Sequence, residues 1–449
     1  MKYRYREPHE MKDSGVEWLG MIPKEWEVKQ LKYLAYSLNG FAFKSENYIN
    51  HGVPIIRIGD ISKVINLDNI PKVKEEIDLE KYKIKKQDIL VALTGATIGK
   101  SCIYNLEEKS YLNQRVGLFR GIKIYNKFLF YYISSDMVLK YIQLICNGSA
   151  QENISNLDIL NFKIALTYLN QQKIADFLDK KCEEFDSVIA KKEMLINKLE
   201  EAKKSLISEV VTGKVKVIEK ENGEYGIIKR EAHEMKDSGV EWLGMIPKEW
   251  GTSKLKNKLV KFTDGAHISP EVENGVYPFL SVKDLKNGVL DFKNCLKTSI
   301  ESYKYLKRNS CKPEKGDLLI SKDGTIGKTC IIDYDKDFVV ASSLVIIKSK
   351  KNFSIKYLDY ILQSEVSQKQ IFQYVKGAAL PRISLELLKN IYIPFINQQD
   401  EQIKINNLLD KKCSQFNIAI EKQKESIEKL KSAKQSLISE AVTGKIEVL

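Results

Sequence analysis

Gly95-Ala96-Thr97-Ile98-Gly99-Lys100-Ser101 is the first stretch whose residue types suggest chemistry. A glycine-rich turn ending in Gly-Lys-Ser can wrap backbone N–H groups around a phosphate and bring a lysine to it. Such a loop needs four residues between its first glycine and the Gly-Lys pair; here there are three, and the matching Gly324 to Gly327 leaves two. The spacing excludes a nucleotide-binding loop. It predicts a tight strand-to-strand turn instead, with Lys100 and Lys328 near the surface and available to a phosphate. Other catalytic patterns are missing. No Pro-Pro occurs, so there is no N/D-P-P-Y/F stretch for methylating an amino group, no G-x-G-x-x-G opens a βαβ unit, and no H-E-x-x-H is present. The acid pair Glu107-Glu108 reads as a solvated face rather than an acid/base couple. Four histidines, at 9, 51, 233 and 267, show no metal-ligand spacing, and no structural zinc is expected. The chain reads as a recogniser without chemistry of its own.

Polar and basic residues beside turn signals are the recognition candidates. In the first half these are Lys44, Arg57, Gln114, Arg115 and Gln151; in the second, His267, Lys283, Lys322 and Arg382, with Lys100 and Lys328 added from the glycine turns. Arginine and glutamine bond in pairs to guanine and adenine edges, which favours Arg115, Gln151 and Arg382 as base readers, while lysine suits phosphates. For each of them the plainer reading is a solvated surface side chain. A net charge of +13 favours a polyanionic partner, most often nucleic acid, although a merely soluble lysine-rich protein would show it too. Trp18, Trp26, Trp242 and Trp250 are expected as packing anchors before stacking platforms.

The elements that must position these residues are written twice. Residues 9 to 26 recur unchanged at 233 to 250, a shift of 224 residues. Thr97-Ile98-Gly99-Lys100 returns at 325 to 328, Asn170-Gln171-Gln172 at 397 to 399, and Leu178-Asp179-Lys180-Lys181-Cys182 at 409 to 413. In each copy, β-type runs alternate with turns. Val53 to Ile58, Asp88 to Leu93, Ser101 to Tyr104 and Val116 to Phe119 are expected strands in the first, Tyr277 to Val282, Asp317 to Ile320, Thr329 to Ile332 and Leu344 to Lys348 in the second. One helix is expected over Lys127 to Leu144, and another over Ile355 to Tyr374.

Each copy closes on a long stretch free of Pro and Gly, Asn170 to Thr212 and Asn397 to Thr443. Leu178, Phe185, Leu199 and Leu206 recur at sevens with Cys182, Ile189, Ile196 and Val210 offset by four, and the second stretch repeats the seam. Some forty helical residues span on the order of 60 Å, the length of a spacer. Lys192, Lys203, Gln423 and Lys434 interrupt the stripe, so a short pairing of two helices is expected, and packing of each helix on its own body is the alternative. Gly213 and Gly444 follow as helix stops. The expected layout is an α+β chain of two duplicated mixed bodies, 1–168 and 237–395, with long, antiparallel helices at 169–213 and 396–449 and a linker or short hairpin at 214–236. Loops differ between copies, Asn39 to Ser45 against Thr263 to Ser269 and Gly148 to Asn153 against Gly377 to Arg382, which places specificity in the loops.

With 43% hydrophobic and 29% charged residues the chain is expected to be globular and soluble. No run of about eighteen apolar residues and no apolar leader of signal-peptide type occurs, so a cytoplasmic protein without membrane partners is expected. Seven cysteines, an odd number without C-x-x-C pairs, read as reduced; Cys102, Cys182, Cys330 and Cys413 fall inside apolar patterns.

Taken together, these segments resemble the specificity subunits of type I restriction–modification systems. Gly20-Met21-Ile22-Pro23-Lys24-Glu25-Trp26 and its copy look like the G-x-I-P-x-x-W opening of each target recognition domain in that family. Asp88-Ile89-Leu90 with Gly95 to Gly99, and Gly316 to Leu319 with Gly324 to Gly327, look like its central strand and turn. Ser205 to Lys214 and Ser436 to Lys445 look like the end of its spacer helix. The resemblance covers nearly the whole chain, in duplicate. It implies two domains that each dock on half of a split, asymmetric DNA site, helices that set the gap, and no catalysis in this chain. It also implies two methyltransferase subunits carrying S-adenosylmethionine and optional restriction subunits driven by ATP and Mg. The family has no fixed motif for base contacts, so the recognition candidates rest on chemistry alone. The other class considered is a helical scaffold with incidental basic charge; an RNA-binding module lacks its stacking motif.

Overall fold

The computed structural model describes residues 2–146, 153–268, 271, 275–375 and 381–449. Ile89–Ala92 and Leu318–Ser321 are buried at every position. Each lies within a four-stranded antiparallel sheet whose two faces are both covered. Successive side chains point to opposite faces. Ile89, Val91 and Leu93 join the helices on one side, and Leu90 and Ala92 join Cys102, Leu112 and Leu118 on the other. Leu318 and Ile320 against Leu319 repeat the division. Strand order is shared: Ala35–Asn39, Val116–Gly121, Ile89–Ala92 and Ser101–Ile103 in one copy, Leu259–Asp264, Leu344–Ser349, Leu318–Ser321 and Thr329–Ile331 in the other. A second sheet in each contains a parallel pair, Val53–Ile56 with Ser110–Leu112 and Tyr277–Leu280 with Val339–Val340. The α+β expectation holds.

Each expected body helix is in fact two. Asn126–Ile133 and Asp136–Cys146 replace the first, and Ile355–Gln363 and Glu365–Phe372 the second. Buried serines sit at both breaks: Ser135 donates to the Tyr132 carbonyl, and Ser364 donates to Ile361 while accepting from the Ser367 N–H. The Ser364 hydroxyl thus ends one helix and caps the next, the Ser135 hydroxyl closes the end of its helix, and apolar periodicity registers neither.

The chain folds as two units, Met1–Glu193 with Lys424–Leu449, and Met194–Gln423. The division therefore runs through the long helices, Gln171–Val211 and Gln399–Val442. In the first unit Leu178 and Cys182 share a core with Leu437, Ile438, Ala441 and Val442. In the second, Leu409 and Cys413 share one with Ile207, Val210 and Val211. The start of each helix thus meets the end of the other, and the pair is antiparallel. Stripe lysines reach across the pairing: Lys434 Nζ donates to Asp186 Oδ1 at 2.6 Å, and Lys203 Nζ to Asn417 Oδ1 at 2.8 Å. The Asn-Gln-Gln recurrence is not a structural match. Gln171 bridges the Tyr125 N–H and the Thr167 carbonyl, whereas the same bridge in the second unit, Ser354 N–H to Ile396 carbonyl, is made by Gln402, about one turn beyond Gln399.

Beyond each long helix, Gly213 (φ +70°) and Gly444 (φ +73°) occupy the left-handed region where side chains are disfavoured. Space forbids one as well. A Cβ would lie 2.4 Å from Pro247 Cγ at Gly213 and 2.5 Å from Pro23 Cγ at Gly444. Trp250 and Trp26, each 2% exposed, complete these contacts, whereas Trp18 and Trp242 are 39% and 36% exposed and anchor only in part. The join after Gly213 is a hairpin, Val215–Glu219 with Tyr225–Lys229. Its counterpart after Gly444 pairs Ile446–Val448 with Tyr3–Tyr5 at the other end of the chain. Cys102, Cys182, Cys330 and Cys413 are buried free thiols, as expected.

Asp186 also accepts from Lys63 Nζ at 2.8 Å. Burial raises its carboxyl, and the bonds from Lys434 and Lys63 more than offset this, leaving it below the usual range. A depressed carboxyl contributes stability that is present above its ordinary range and lost as pH falls through the lowered value. Asp186→Asn is therefore expected to cost about 1 kcal/mol near neutral pH. Thermal melts across pH would show the difference from wild type shrinking below the carboxylate range.

Candidate nucleic-acid interface

Four segments of the first unit end together. The Gln114 N–H donates to the Phe41 carbonyl at 2.9 Å, Asn113 to Ile56 at 3.1 Å, Leu93 to Arg115 at 3.0 Å, and Ile154 to Leu93 at 2.9 Å. One loop cluster results, holding Phe41, Arg57, Thr94, residues 113 to 115, and Asn153. Gly40 allows the close approach, since a Cβ there would lie 2.1 Å from the Asn113 carbonyl oxygen. Gln114 and Arg115 are exposed at the tip, and Arg115 has no ion-pair partner among the described residues. Asn113 Oδ1 accepts the Arg115 N–H at 3.3 Å and so shapes the turn. Arg57 folds back onto Asp60, with Nε 3.1 Å from Oδ2. Lys44, near Phe41 in the chain, is 76% exposed with Glu46 at 3.5 Å. Gln151 lies outside the described residues.

The second unit repeats the backbone bonds one for one. The Ser342 N–H donates to Ala266 at 2.8 Å, Ala341 to Leu280 at 2.8 Å, Lys322 to Ser343 at 2.9 Å, and Ile383 to Lys322 at 3.0 Å. Gly265 plays the part of Gly40, 2.1 Å from the Val340 carbonyl by the same measure. The side chains differ throughout. Ser342 and Ser343 stand for Gln114 and Arg115, Lys322 for Leu93, Asp323 for Thr94, and Arg382 for Asn153. His267 Nε2 lies 2.7 Å from Asp264 Oδ2, Lys322 Nζ is 3.7 Å from the same oxygen and 3.3 Å from Asp323 Oδ2, and Arg382 Nε is 3.5 Å from Asp323 Oδ1. Three of the four non-turn candidates in this half are therefore gathered by two aspartates that sequence reasoning passed over. Lys283 is exposed in the adjoining Val282–Asp284 turn, tied in by the Val282 N–H donating to Ser343 Oγ at 3.1 Å.

The glycine turns join antiparallel strands, as expected, with Gly99 and Gly327 both at φ +80°. Lys100 and Lys328 are exposed just after them. The two clusters offer different chemistry. The first presents uncommitted donors, Gln114 and Arg115, suited to guanine or adenine edges; the second presents cations already paired with carboxylates, and free carboxylate lone pairs accept from a cytosine amino group. An alignment of the two copies by their shared frame would have found Asn113, Thr94, Asp264 and Asp323, because each stands at a position where the frame is kept and the side chain changes. Among the described residues, no group of three or more His, Cys, Asp or Glu side chains could hold a metal, and no helix is long and apolar enough to cross a membrane.

Comparison with known proteins agrees with this geometry. A family model described as the type I restriction modification DNA specificity domain matches twice, over residues 23–201 and 247–429. The type I restriction enzyme EcoBI specificity subunit of Escherichia coli is 26% identical over 97% of this chain and 90% of its own length. A putative type I restriction enzyme MjaX specificity subunit of Methanocaldococcus jannaschii is 25% identical over 96% of each chain. A chain solved in a study of complex assembly and conformational transition of the type I R-M system shares the fold, with a TM-score of 0.66 at 16% identity over 94% of this chain and 99% of that one. Two matched halves, each containing one of the two loop clusters and reaching into its long helix, place this chain in the type I restriction modification DNA specificity family, as a non-catalytic specificity subunit with two target recognition domains.

Proposed function

We propose that the two loop clusters read the two halves of a split, asymmetric site on double-stranded DNA. The observation that carries this is the matched backbone bonding of the clusters beneath unmatched side chains: Gln114 and Arg115 in one, Ser342, Ser343, Lys322 and Arg382 in the other. A frame kept while its contact residues change is what reading two different half-sites requires. The excess of cations supplies the sequence-independent attraction to phosphate. The paired long helices set the gap and hold two methyltransferase subunits, which carry S-adenosylmethionine and methylate adenine. Restriction subunits, where the system has them, supply ATP- and Mg-driven cleavage. The complex works in the cytoplasm, where its DNA is. Linking two readers makes the second encounter intramolecular, which raises affinity and imposes a gap length.

Exchanging residues 27 to 168 for the first domain of another family member is expected to change one half of the methylated motif, read by methylome sequencing; a change in both halves would refute modular reading. Inserting one helical turn at matching places in both long helices is expected to change the gap and preserve both half-sites. Arg115→Ala is expected to cost about 1–3 kcal/mol and relax preference at one base pair, while Lys328→Ala weakens all sequences alike and lowers the salt slope by about 1. Titrations of the methyltransferase complex on matched and mismatched duplexes at several salt concentrations separate the two.

A further inference from the structure

The two identical leaders meet different surroundings at one position. In the first unit the Trp18 ring stacks on Phe162 at 5.3 Å between centroids and lies 5.7 Å from Tyr141, which in turn meets Phe162 edge-on at 4.9 Å. The Trp18 Nε1–H donates to the Lys163 carbonyl at 3.2 Å. The frame fixes the matching residues in the second unit. Phe162 corresponds to Ile391, because their carbonyls accept from Leu31 and Leu255. Tyr141 corresponds to Gln370, two residues beyond Leu139 and Gln368, the side chains that crowd Gly99 and Gly327. Both aromatic partners of the indole are thus lost.

The hydrogen bond is lost as well. Gln370 Nε2 donates to the Tyr392 carbonyl at 2.9 Å, and Gln370 Oε1 accepts from the Tyr392 N–H at 2.8 Å. Tyr392 matches Lys163, so the carbonyl that receives an indole N–H in one unit is taken by an amide in the other. Trp242 is left with no ring partner and no hydrogen-bond acceptor among the described residues. It lines a half-open cleft of about 420 Å³, together with Gln370, Tyr374, Asn390 and Tyr392. That volume lies within the range of small-ligand sites, ~300–1,000 Å³.

We propose that this cleft receives a tyrosine side chain from a partner polypeptide, its ring against Trp242 and its oxygen accepting the free indole N–H. The first unit supplies the precedent for a phenol meeting this indole, since the Tyr141 ring lies 5.7 Å from Trp18, and the shorter Gln370, turned to the Tyr392 backbone, provides no such ring in the second unit. Charge argues against a nucleotide. Glu241 is the one charged residue among the described residues lining the cleft, in a chain whose net charge is +13. Among the described lining residues a phosphate would meet a carboxylate and no cation, the nearby Lys254 ammonium being set over the Tyr392 ring at 5.6 Å, whereas a neutral phenol needs only a π-face and one donor.

The chain has four tryptophans, so the full-length protein labelled with ¹⁵N-tryptophan gives four indole signals, each assignable by its Trp→Phe variant. Titration with p-cresol is expected to move the Trp242 signal saturably at millimolar concentration and leave Trp18 in place. N-acetyl-tyrosine amide, which carries the flanking peptide groups, is expected to do the same, and deoxyadenosine monophosphate to do neither. Gln370→Tyr, which rebuilds the first unit's filling, is expected to weaken p-cresol on the order of tenfold or more. Where its melting curve shows misfolding, Thr252→Phe at the cleft rim serves the same purpose. A motionless Trp242 signal, or four signals drifting together without saturation, overturns the site. Binding of p-cresol without the amide overturns the polypeptide source, and an equal response to the nucleotide overturns the neutral-phenol assignment.

Discussion

The structure depends on one close contact made twice: a proline and a tryptophan of a leader lying against the glycine that ends a long helix. Gly213 receives Pro247 and Trp250, and Gly444 receives Pro23 and Trp26. In both cases the helix belongs to one repeat and the leader to the other. The glycine must adopt positive φ to end the helix, and it must lack a Cβ to let the pyrrolidine ring approach. Because of this exchange, each folded unit combines a body with the last turns of the other repeat's helix, and the unit boundary at residues 193 and 424 falls inside the helices. The hydrophobic seam then has its direction fixed by chain connectivity, start against end.

On that frame the copies diverge by side chain more than by backbone. The clearest case is the aspartate that opens the central strand. Asp88 accepts a two-pronged bond from Arg120, at 2.6 and 2.7 Å. Asp317, at the same place, takes the Glu314 N–H but leaves Oδ1 without a partner, because Lys348 bonds to Glu314 instead, and burial pushes its carboxyl up. Both acids shape the turn through the backbone N–H three residues upstream, which is the task the frame requires. The charge partner is a further layer, kept in one copy and dropped in the other. The two loop clusters and the Trp242 cleft follow the same rule.

Much of this was legible in the sequence because burial on both faces leaves continuous apolar runs, as at Ile89–Ala92, and because a repeated leader announces a repeated frame. The long helices could be read from a seam at sevens. What escaped reading was decided by single hydroxyls, amides and carboxylates. Ser135 and Ser364 divide helices whose periodicity continues across the break. The Asn-Gln-Gln echo misleads because the working glutamine is Gln402, one turn on. The grip of Asp264 and Asp323 on His267, Lys322 and Arg382 joins loops far apart in the chain, and no local pattern encodes it. Arg115 and Gln114, by contrast, stand exposed at a tip, as turn chemistry suggests.

The hairpin Val215–Glu219 with Tyr225–Lys229 and the pairing of Tyr3–Tyr5 with Ile446–Val448 are the same structural element, intact in one place and severed in the other. The register is the same where a five-residue turn joins the strands and where the strands come from segments far apart in the chain, so the strands, and not a turn between them, set the pairing.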